Sequence, residues 1–184
     1  LQPPAVPPGS YTSFDFSSEA TGTSVDDGHR IIELAAVELI DGRFTYRVYR
    51  ILLNPEHPID EGAQAVHGIS NEALEGAPQF AEIAAELSEF LRGAELIVHN
   101  TPFHIAFLDM EFKQAGMPPS RQLCAGVIDT LAMARRLRPK KTNNLNALIE
   151  DYAIQMPKRT LSGAELDAHL IGLIYLEFQK RTLH

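Results

Sequence analysis

The sequence predicts an α/β domain in which a mixed sheet carries helices on its faces, and three observations lead to that class. Three strand patterns come first, and Asp41-Gly42 between the second and the third is a strong hairpin signal. Short apolar runs of strand length then stand between helical patterns, as buried parallel strands do. Apolar residues in the helical stretches recur at three- and four-residue steps. Three antiparallel strands followed by strands interleaved with helices therefore predict a mixed sheet with one antiparallel edge.

Each predicted element has its own local signal. The first strand, 11–16, is aromatic-rich, and the polar, Gly-containing stretch 17–29 after it is predicted to be a loop. Gly93 ends one helix, and Pro102 begins the next with Thr101 as a candidate N-cap. The other strands are predicted at 30–40, 43–53, 94–98 and 127–128, and the helices at 80–91, 102–115, 130–137, 145–152 and 163–179.

Composition excludes several classes of protein. The chain has 184 residues, with 24 Asp and Glu against 16 Lys and Arg and a formal net charge of -8. This balance argues against binding nucleic acid by bulk charge, although it leaves a local basic cleft open. Cys124 is the single cysteine, which excludes an intramolecular disulfide and a zinc site built from several cysteines. No apolar run is long enough to span a membrane and no signal peptide is recognisable, so we expect a cytoplasmic protein.

The chain is predicted to contain one folded domain after a short leader. Residues 1–10 include four prolines, which is typical of an extended linker or tail. Residues 11–184 have the length and apolar content of one domain. We therefore expect the domain to belong to a longer chain or a complex.

Several polar residues stand where the predicted strands end. Asp15 is placed at the end of the first strand, and ligands tend to bind at strand ends of α/β sheets. His99 and Asn100 lie between a buried strand and a helix N-terminus, a junction that suits phosphate. His104 follows within the first helical turn, and Asp167 lies on an otherwise apolar helix. Each has a simpler interpretation: a loop cap for Asp15, a turn cap for His99 and Asn100, and a solvent-facing carboxylate for Asp167.

Four stretches together resemble a known family. They are GHRIIELAAVE at 28–38, VHGI at 66–69, RGAELIVHNTPF at 92–103 and KRTLSGAELDA at 158–168. In this order they resemble the DEDDh group of 3′–5′ exonucleases, and in particular the epsilon proofreading subunit of bacterial DNA polymerase III. The resemblance covers about residues 11–179. It implies a ribonuclease H-like fold and two-metal hydrolysis, in which four acids hold two divalent ions and a His is the general base.

The resemblance also shows where this chain departs from the family. Asp15 matches the first Asp of the Asp-x-Glu motif, and Ser17 stands at the position of the Glu. His104 replaces the second-motif Asp, Ser162 replaces the general-base His, and Asp167 matches the final Asp. Glu19 would add a third acid if the longer run before Gly22 bulged it inward.

These departures remove what two metal ions need. Two doubly charged ions about 4 Å apart repel by on the order of 15 kcal/mol at an effective dielectric near 20. Asp15 and Asp167 alone do not offset this, His104 is a poor ligand for Mg²⁺, and Ser162 has no suitable pKa for a base. The main hypothesis is therefore a catalytically degenerate exonuclease-like domain that needs no cofactor. It would act as a binding or scaffolding module with a polymerase or nuclease subunit or a single-stranded nucleic-acid end as its partner.

Two other hypotheses stay open. The first is an active 3′–5′ exonuclease with an altered metal site. One ion would be held by Asp15, Glu19, His104 and Asp167, and it would be Mn²⁺ or Zn²⁺, or else Mg²⁺. The second is a protein that binds nucleic-acid ends without cutting them. For that protein, His99 and Asn100 are candidate contacts, and 135–141 is the densest basic run. The simpler interpretation of this run is a solvated helix face.

Overall fold

The computed structural model of the chain describes residues 11–158, 160–161 and 163–182. The predicted leader, 1–10, and the family's general-base position, Ser162, lie outside the described residues.

The described residues form a five-stranded mixed sheet, as predicted. The strands are β1 (Thr12–Ala20), β2 (Ile31–Ile40), β3 (Arg43–Leu52), β4 (Glu95–Val98) and β5 (Gly126–Asp129), in the spatial order β3-β2-β1-β4-β5. The pairs β3/β2 and β2/β1 are antiparallel, whereas β1/β4 and β4/β5 are parallel. Asp41 and Gly42 both have positive φ, 50° and 75°, which suits the tight turn predicted between β2 and β3.

Strand β1 is longer than its composition predicts. It continues through the polar residues 17–19, which pair with β2 from Ser17↔Ala35 to Glu19↔Glu33 before the register shifts at Ala20. Hydrogen bonding to β2 thus overrides the weak strand propensity of Ser and Glu. The prediction that Asp15 ends the first strand is wrong, because Asp15 pairs with Val37 in the middle of it.

Helices cover both faces of the sheet. They are α1 (Glu61–His67), α2 (Phe80–Leu91), α3 (Thr101–Gln114), α4 (Ser120–Leu123), α5 (Thr130–Leu137), α6 (Leu145–Asp151) and α7 (Gly163–Thr182). The short helices α1 and α4, and a 3₁₀ turn at Glu72–Leu74, were not predicted. Among the described residues, no helix has both the length and the apolar character needed to cross a membrane.

The side chains of β1 alternate between the two helical layers. Phe14 and Phe16 belong to the large core beneath α2 and α3. On the other face, α7 packs on β2 through Ala164 and Ala168, which contact Ala35 and Val37. Ala35 and Val37 are paired with Ser17 and Asp15. Asp15, Ser17 and Glu19 therefore all face α7, since strand side chains alternate with period two.

Candidate active site

The carboxyl ends of three parallel strands meet at one edge of the sheet. Glu19 lies near the end of β1, His99 follows β4, and Asp129 ends β5. This is the edge at which open α/β sheets bind ligands. Glu19 and the strand–helix junction at His99 therefore share one edge of the sheet.

Glu19 and Asp167 form a pair of carboxyl groups at this edge. Glu19 lies against the first turn of α7, because a Cβ added at Gly163 would be 3.6 Å from its Oε1. Burial, followed by the charges of Asp167 and Glu33, raises the pKa of Glu19 to about 7. Burial and the charge of Glu33 raise the pKa of Asp167 to about 6. Each carboxyl group thus lies in the negative field of others.

Glu33 is engaged in holding the fold. It is opposite Glu19 in the β1/β2 pairing, and like charges at such a position repel. Its Oε1 accepts a hydrogen bond of 2.8 Å from the backbone N–H of Ala164, and its Oε2 lies 3.5 Å from Arg50. Glu33 therefore caps the N-terminal turn of α7 while it adds negative charge beside Glu19.

Asp15 does not join this pair. Its side chain is fully buried, and neither carboxylate oxygen has a hydrogen-bond partner among the described residues. It packs against Gly172 in the middle of α7, where a Cβ would overlap with its Oδ2. Burial raises the pKa of Asp15 well above its ordinary value. Asp15 and Glu19 are four residues apart on an extended strand, which is about 13 Å.

The structure therefore favours a different alignment of the first motif. Counting back from Gly22 moves the Asp-x-Glu motif by two residues, so that Glu19 takes the position of the Glu and Ser17 that of the Asp. Ser17 is buried on the same face of β1. The number of family residues kept is still two of five, but they are Glu19 and Asp167 rather than Asp15 and Asp167.

His104 lies on the other side of β1. Its Nδ1 is 2.9 Å from Oγ of Ser18, a residue that faces α3. Burial and the neighbouring His99 lower the pKa of His104 to about 4, against the opposing charge of Asp129. The imidazole is therefore neutral at pH 7 and does not repel cations, but it also cannot supply the negative charge of the family's Asp.

The donor set does not fit the family's pair of divalent ions. Glu19 and Asp167 supply two carboxylates where the family has four, Ser17 and His104 bring no charge, and Glu33 is committed to Arg50 and the N-terminal turn of α7. Among the described residues, no group of three His, Cys, Asp or Glu side chains is placed to hold one ion. The described residues therefore do not supply the family's two-metal site.

His99 and Asn100 connect β4 to α3, and His99 also links this connection to other parts of the fold. Nε2 of His99 is 3.0 Å from the carbonyl of Asn143 and Nδ1 is 2.9 Å from Oγ1 of Thr130. Asn100 adopts a left-handed conformation (φ 75°), and α3 begins immediately after it. The side-chain nitrogens of His99 are thus occupied by protein groups, as the capping interpretation implies. The role of His99 and Asn100 in nucleic-acid binding stays a prediction.

Asp129 is the important residue that the sequence reasoning did not identify. Its carboxylate accepts hydrogen bonds from the backbone N–H groups of Leu131 and Ala132 in α5, and from those of Asn100 and Thr101 at the start of α3. These bonds lower the pKa of Asp129 against the opposing effect of burial. An Asp directly before a helical pattern is an N-cap signal, and it could have been recognised. Thr101, by contrast, is the first residue of α3 rather than its cap.

Comparison with known proteins establishes the family. A family model described as Exonuclease, of the RNase T type, matches residues 14–175. The chain belongs to this exonuclease family. The match spans the sheet, the edge that carries Glu19 and most of α7, and it confirms the resemblance and the ribonuclease H-like fold that the motifs predicted.

Relatives with curated names are epsilon subunits. The chain is 43% identical over 150 residues to DNA polymerase III subunit epsilon of Pasteurella multocida, covering 82% of this chain and 59% of that protein. For the Escherichia coli subunit the identity is 43% over 152 residues, with 82% and 62% covered. For Rickettsia conorii it is 38% over 161 residues, with 87% and 70% covered. The chain thus spans about three fifths of the first two relatives.

Solved structures share the fold at low sequence identity. The nuclease domain of 3′hExo, described as a DEDDh family member and bound to rAMP, superposes with a TM-score of 0.73 at 15% identity over 94% of this chain and 92% of that one. Exonuclease X in complex with 5′ overhanging duplex DNA gives a TM-score of 0.69 at 20% identity over 95% and 93%. These likenesses show the fold.

Proposed function

We propose that this chain is an epsilon-type exonuclease domain that binds single-stranded DNA 3′ ends and has lost two-metal hydrolysis. The observation that carries the proposal is the donor set at the sheet edge. Glu19 and Asp167 are the only two of the family's five functional positions that keep their residue type, while Ser17, His104 and Ser162 occupy the others. With the fold intact, such a domain serves as a binding or scaffolding module, needs no metal cofactor, and is cytoplasmic.

The relatives suggest where the module acts. They are named as subunits of DNA polymerase III, and one structural neighbour was solved with DNA. A partner polymerase subunit and a single-stranded 3′ end are therefore the partners that we propose. Because the chain covers only part of those relatives, we also propose that it works within a longer chain or an assembly.

A second candidate is an active metal-dependent 3′–5′ exonuclease with an altered site. The comparisons favour this candidate, since the family model is an exonuclease model and the named relatives are epsilon subunits. The raised pKa values of Glu19 and Asp167 also describe a pair of carboxylates whose repulsion one bound cation would relieve. In that case Glu19 and Asp167 would be the ligands, with Mn²⁺ or Mg²⁺ as the ion.

Degradation of a labelled strand distinguishes the two candidates. A 5′-labelled single-stranded oligonucleotide is incubated with the chain and either Mg²⁺ or Mn²⁺, and the products are separated by length. We expect the oligonucleotide to stay intact. Stepwise shortening that is lost in Asp167→Asn but kept in Glu150→Gln, a matched change at an exposed residue of α6, would establish the second candidate.

Restoration of the missing groups gives an independent test. The triple variant Ser17→Asp, His104→Asp, Ser162→His returns the family's residue types to the three changed positions. We expect it to gain metal-dependent shortening by at least about 100-fold over the native chain, since general acid–base catalysis alone contributes on the order of 10²–10⁴. A native chain that already degrades DNA at the rate of the triple variant would contradict the proposed loss.

A further inference from the structure

A basic pocket lies at the same sheet edge as Glu19, beyond β4 and β5. It is a cavity of about 460 Å³ between the start of α3, helix α5 and the loop 138–144. The residues that define this basic pocket are Arg135, Lys140, Lys141, His99, Asn100 and Asn144. Strands lie about 4.8 Å apart, so β5 is about 10 Å from β1 across this edge.

The cations of the basic pocket have no anionic partner among the described residues. Arg135, Lys140 and Lys141 are exposed, and none of them pairs with a carboxylate in the part of the chain that the structure describes. Arg138, from the same basic run, is instead buried and paired with Asp151. In a chain of net charge -8, three unpaired cations around one cavity repel one another unless an anion joins them.

The loop that carries the two lysines is held in place. His99 contacts the carbonyl of Asn143, and the Asn143 side chain donates to the carbonyl groups of Arg138 and Lys141 at 3.4 and 3.0 Å. Asn144 caps α6 through its bond from Ala147. A loop fixed in this way loses little conformational entropy when a ligand binds, so the basic pocket is organised before binding.

We propose that the basic pocket binds the phosphate backbone of a single DNA strand whose 3′ end lies beside Glu19 and Asp167. The inference rests on the proposed function and adds the path of the strand, from the end of β1 across β4 to α5. Cations distributed over a helix and a loop suit successive phosphates better than one compact anion. No Phe or Tyr lines the pocket, so it offers phosphate contacts rather than base stacking.

Binding of a short 5′-fluorescein-labelled oligonucleotide, followed by anisotropy in EDTA to prevent hydrolysis, tests the path. We expect Lys140→Ala/Lys141→Ala to weaken binding at least about tenfold and to reduce the slope of log K against log salt by about 1.4, since each phosphate on a single strand contributes about 0.7. Arg136→Ala is the matched control, because this exposed neighbour of Arg135 does not line the pocket. It should leave both quantities nearly unchanged.

Further binding measurements distinguish a DNA strand from free phosphate as the ligand. They also distinguish failure of this inference from failure of the proposed function. A deoxynucleoside monophosphate and inorganic phosphate should bind the native chain and the double lysine variant alike, because the terminal nucleotide lies away from the lysines. Equal loss for the monophosphate or inorganic phosphate would show a pocket for free phosphate and overturn the inference. Oligonucleotide binding that is unchanged in the lysine variant also overturns it and leaves the proposed function standing. No oligonucleotide binding by the native chain overturns both.

Discussion

Asp15 and Glu19 lie on the same face of β1, and each packs against a glycine of α7, yet their environments are opposite. Asp15 is fully buried against Gly172 and has no hydrogen-bond partner among the described residues. Glu19 is partly exposed at the end of the strand, beside Gly163 and Asp167. The comparison shows that burial without a partner decides how readily a carboxyl group ionises. Burial raises the pKa of both groups, but Asp15 has no partner among the described residues, whereas Glu19 reaches the sheet edge.

The difference matters for function because a carboxyl group binds a cation in its ionised form. Burial raises the pKa of Asp15 well above its ordinary value and so opposes its ionisation. Glu19 has a pKa of about 7 and changes charge near neutral pH. Any chemistry at this edge therefore depends on Glu19 and Asp167, and Asp15 contributes to the packing of α7.

The largest expected effect comes from closing the space beside Asp15. In Gly172→Ala the new Cβ overlaps with Oδ2 of Asp15 and lies 2.7 Å from its Cγ and 3.0 Å from Phe44 Cζ. We expect the free energy of unfolding to fall by about 2–3 kcal/mol, measured by guanidinium denaturation, because overpacked cores lose such amounts. Gly163→Ala is the control, since its Cβ would lie 3.6 Å from Glu19, an ordinary contact. An equal loss of unfolding free energy in both variants would contradict the difference in packing between Gly172 and Gly163.

A change of Asp15 itself should have the next largest effect, with the opposite sign. Asp15→Val removes two buried oxygens without partners, and we expect the free energy of unfolding to rise by about 1–2 kcal/mol at pH 8. The folded pKa of Asp15 is raised, so the native chain is most stable below the unfolded pKa of about 4 and loses stability as pH rises. The variant should lack this loss. A gain that is the same at pH 5 and pH 8 would argue against a titrating Asp15.

The two acids also show why the sequence was only partly sufficient. The mixed sheet, the hairpin turn at Asp41-Gly42 and five helices follow from local patterns and are confirmed. The alignment of the first motif could not be settled, because side chains alternate with period two and a shift of two residues keeps Asp15, Ser17 and Glu19 on one face. The length of β1 decides which of these residues reaches the sheet edge, and that length depends on pairing with β2.

Other features of the edge depend on residues far apart in the sequence. The basic pocket joins His99 to the loop 138–144, and Asp129 joins the starts of α3 and α5. A basic run is usually a solvated face, and only the folded chain separates the buried Arg138 from the exposed Lys140 and Lys141. The sequence therefore locates the basic residues along the chain, but it does not predict which of them share a pocket.

Neutralising Glu19 should give a smaller effect that depends on pH. The folded pKa of about 7 exceeds the ordinary 4.5, so native stability is full below about pH 4.5 and decreases as pH rises towards 7. Glu19→Gln removes this decrease, and we expect it to gain about 1 kcal/mol at pH 8 after solvent screening is allowed for. Thermal unfolding at several pH values measures the difference. Glu150→Gln keeps Glu19 and should therefore follow the native pH profile, whereas a Glu19→Gln profile parallel to that of the native chain would contradict the raised pKa.

The smallest expected effect tests whether the pKa of Glu19 depends on residues on the same face of β1 rather than on its neighbours in sequence. Ser18 is adjacent to Glu19 but bonds to His104 on the side of α3. Ser18→Ala removes one hydrogen bond, and we expect the free energy of unfolding to fall by about 0.5–1 kcal/mol. The midpoint of the Glu19 titration, followed by carboxyl ¹³C NMR, should stay near pH 7, because burial, Asp167 and Glu33 set it. A midpoint displaced as far as in Asp167→Asn would mean that the two faces are coupled and that His104 belongs to the same electrostatic unit as the two carboxyl groups.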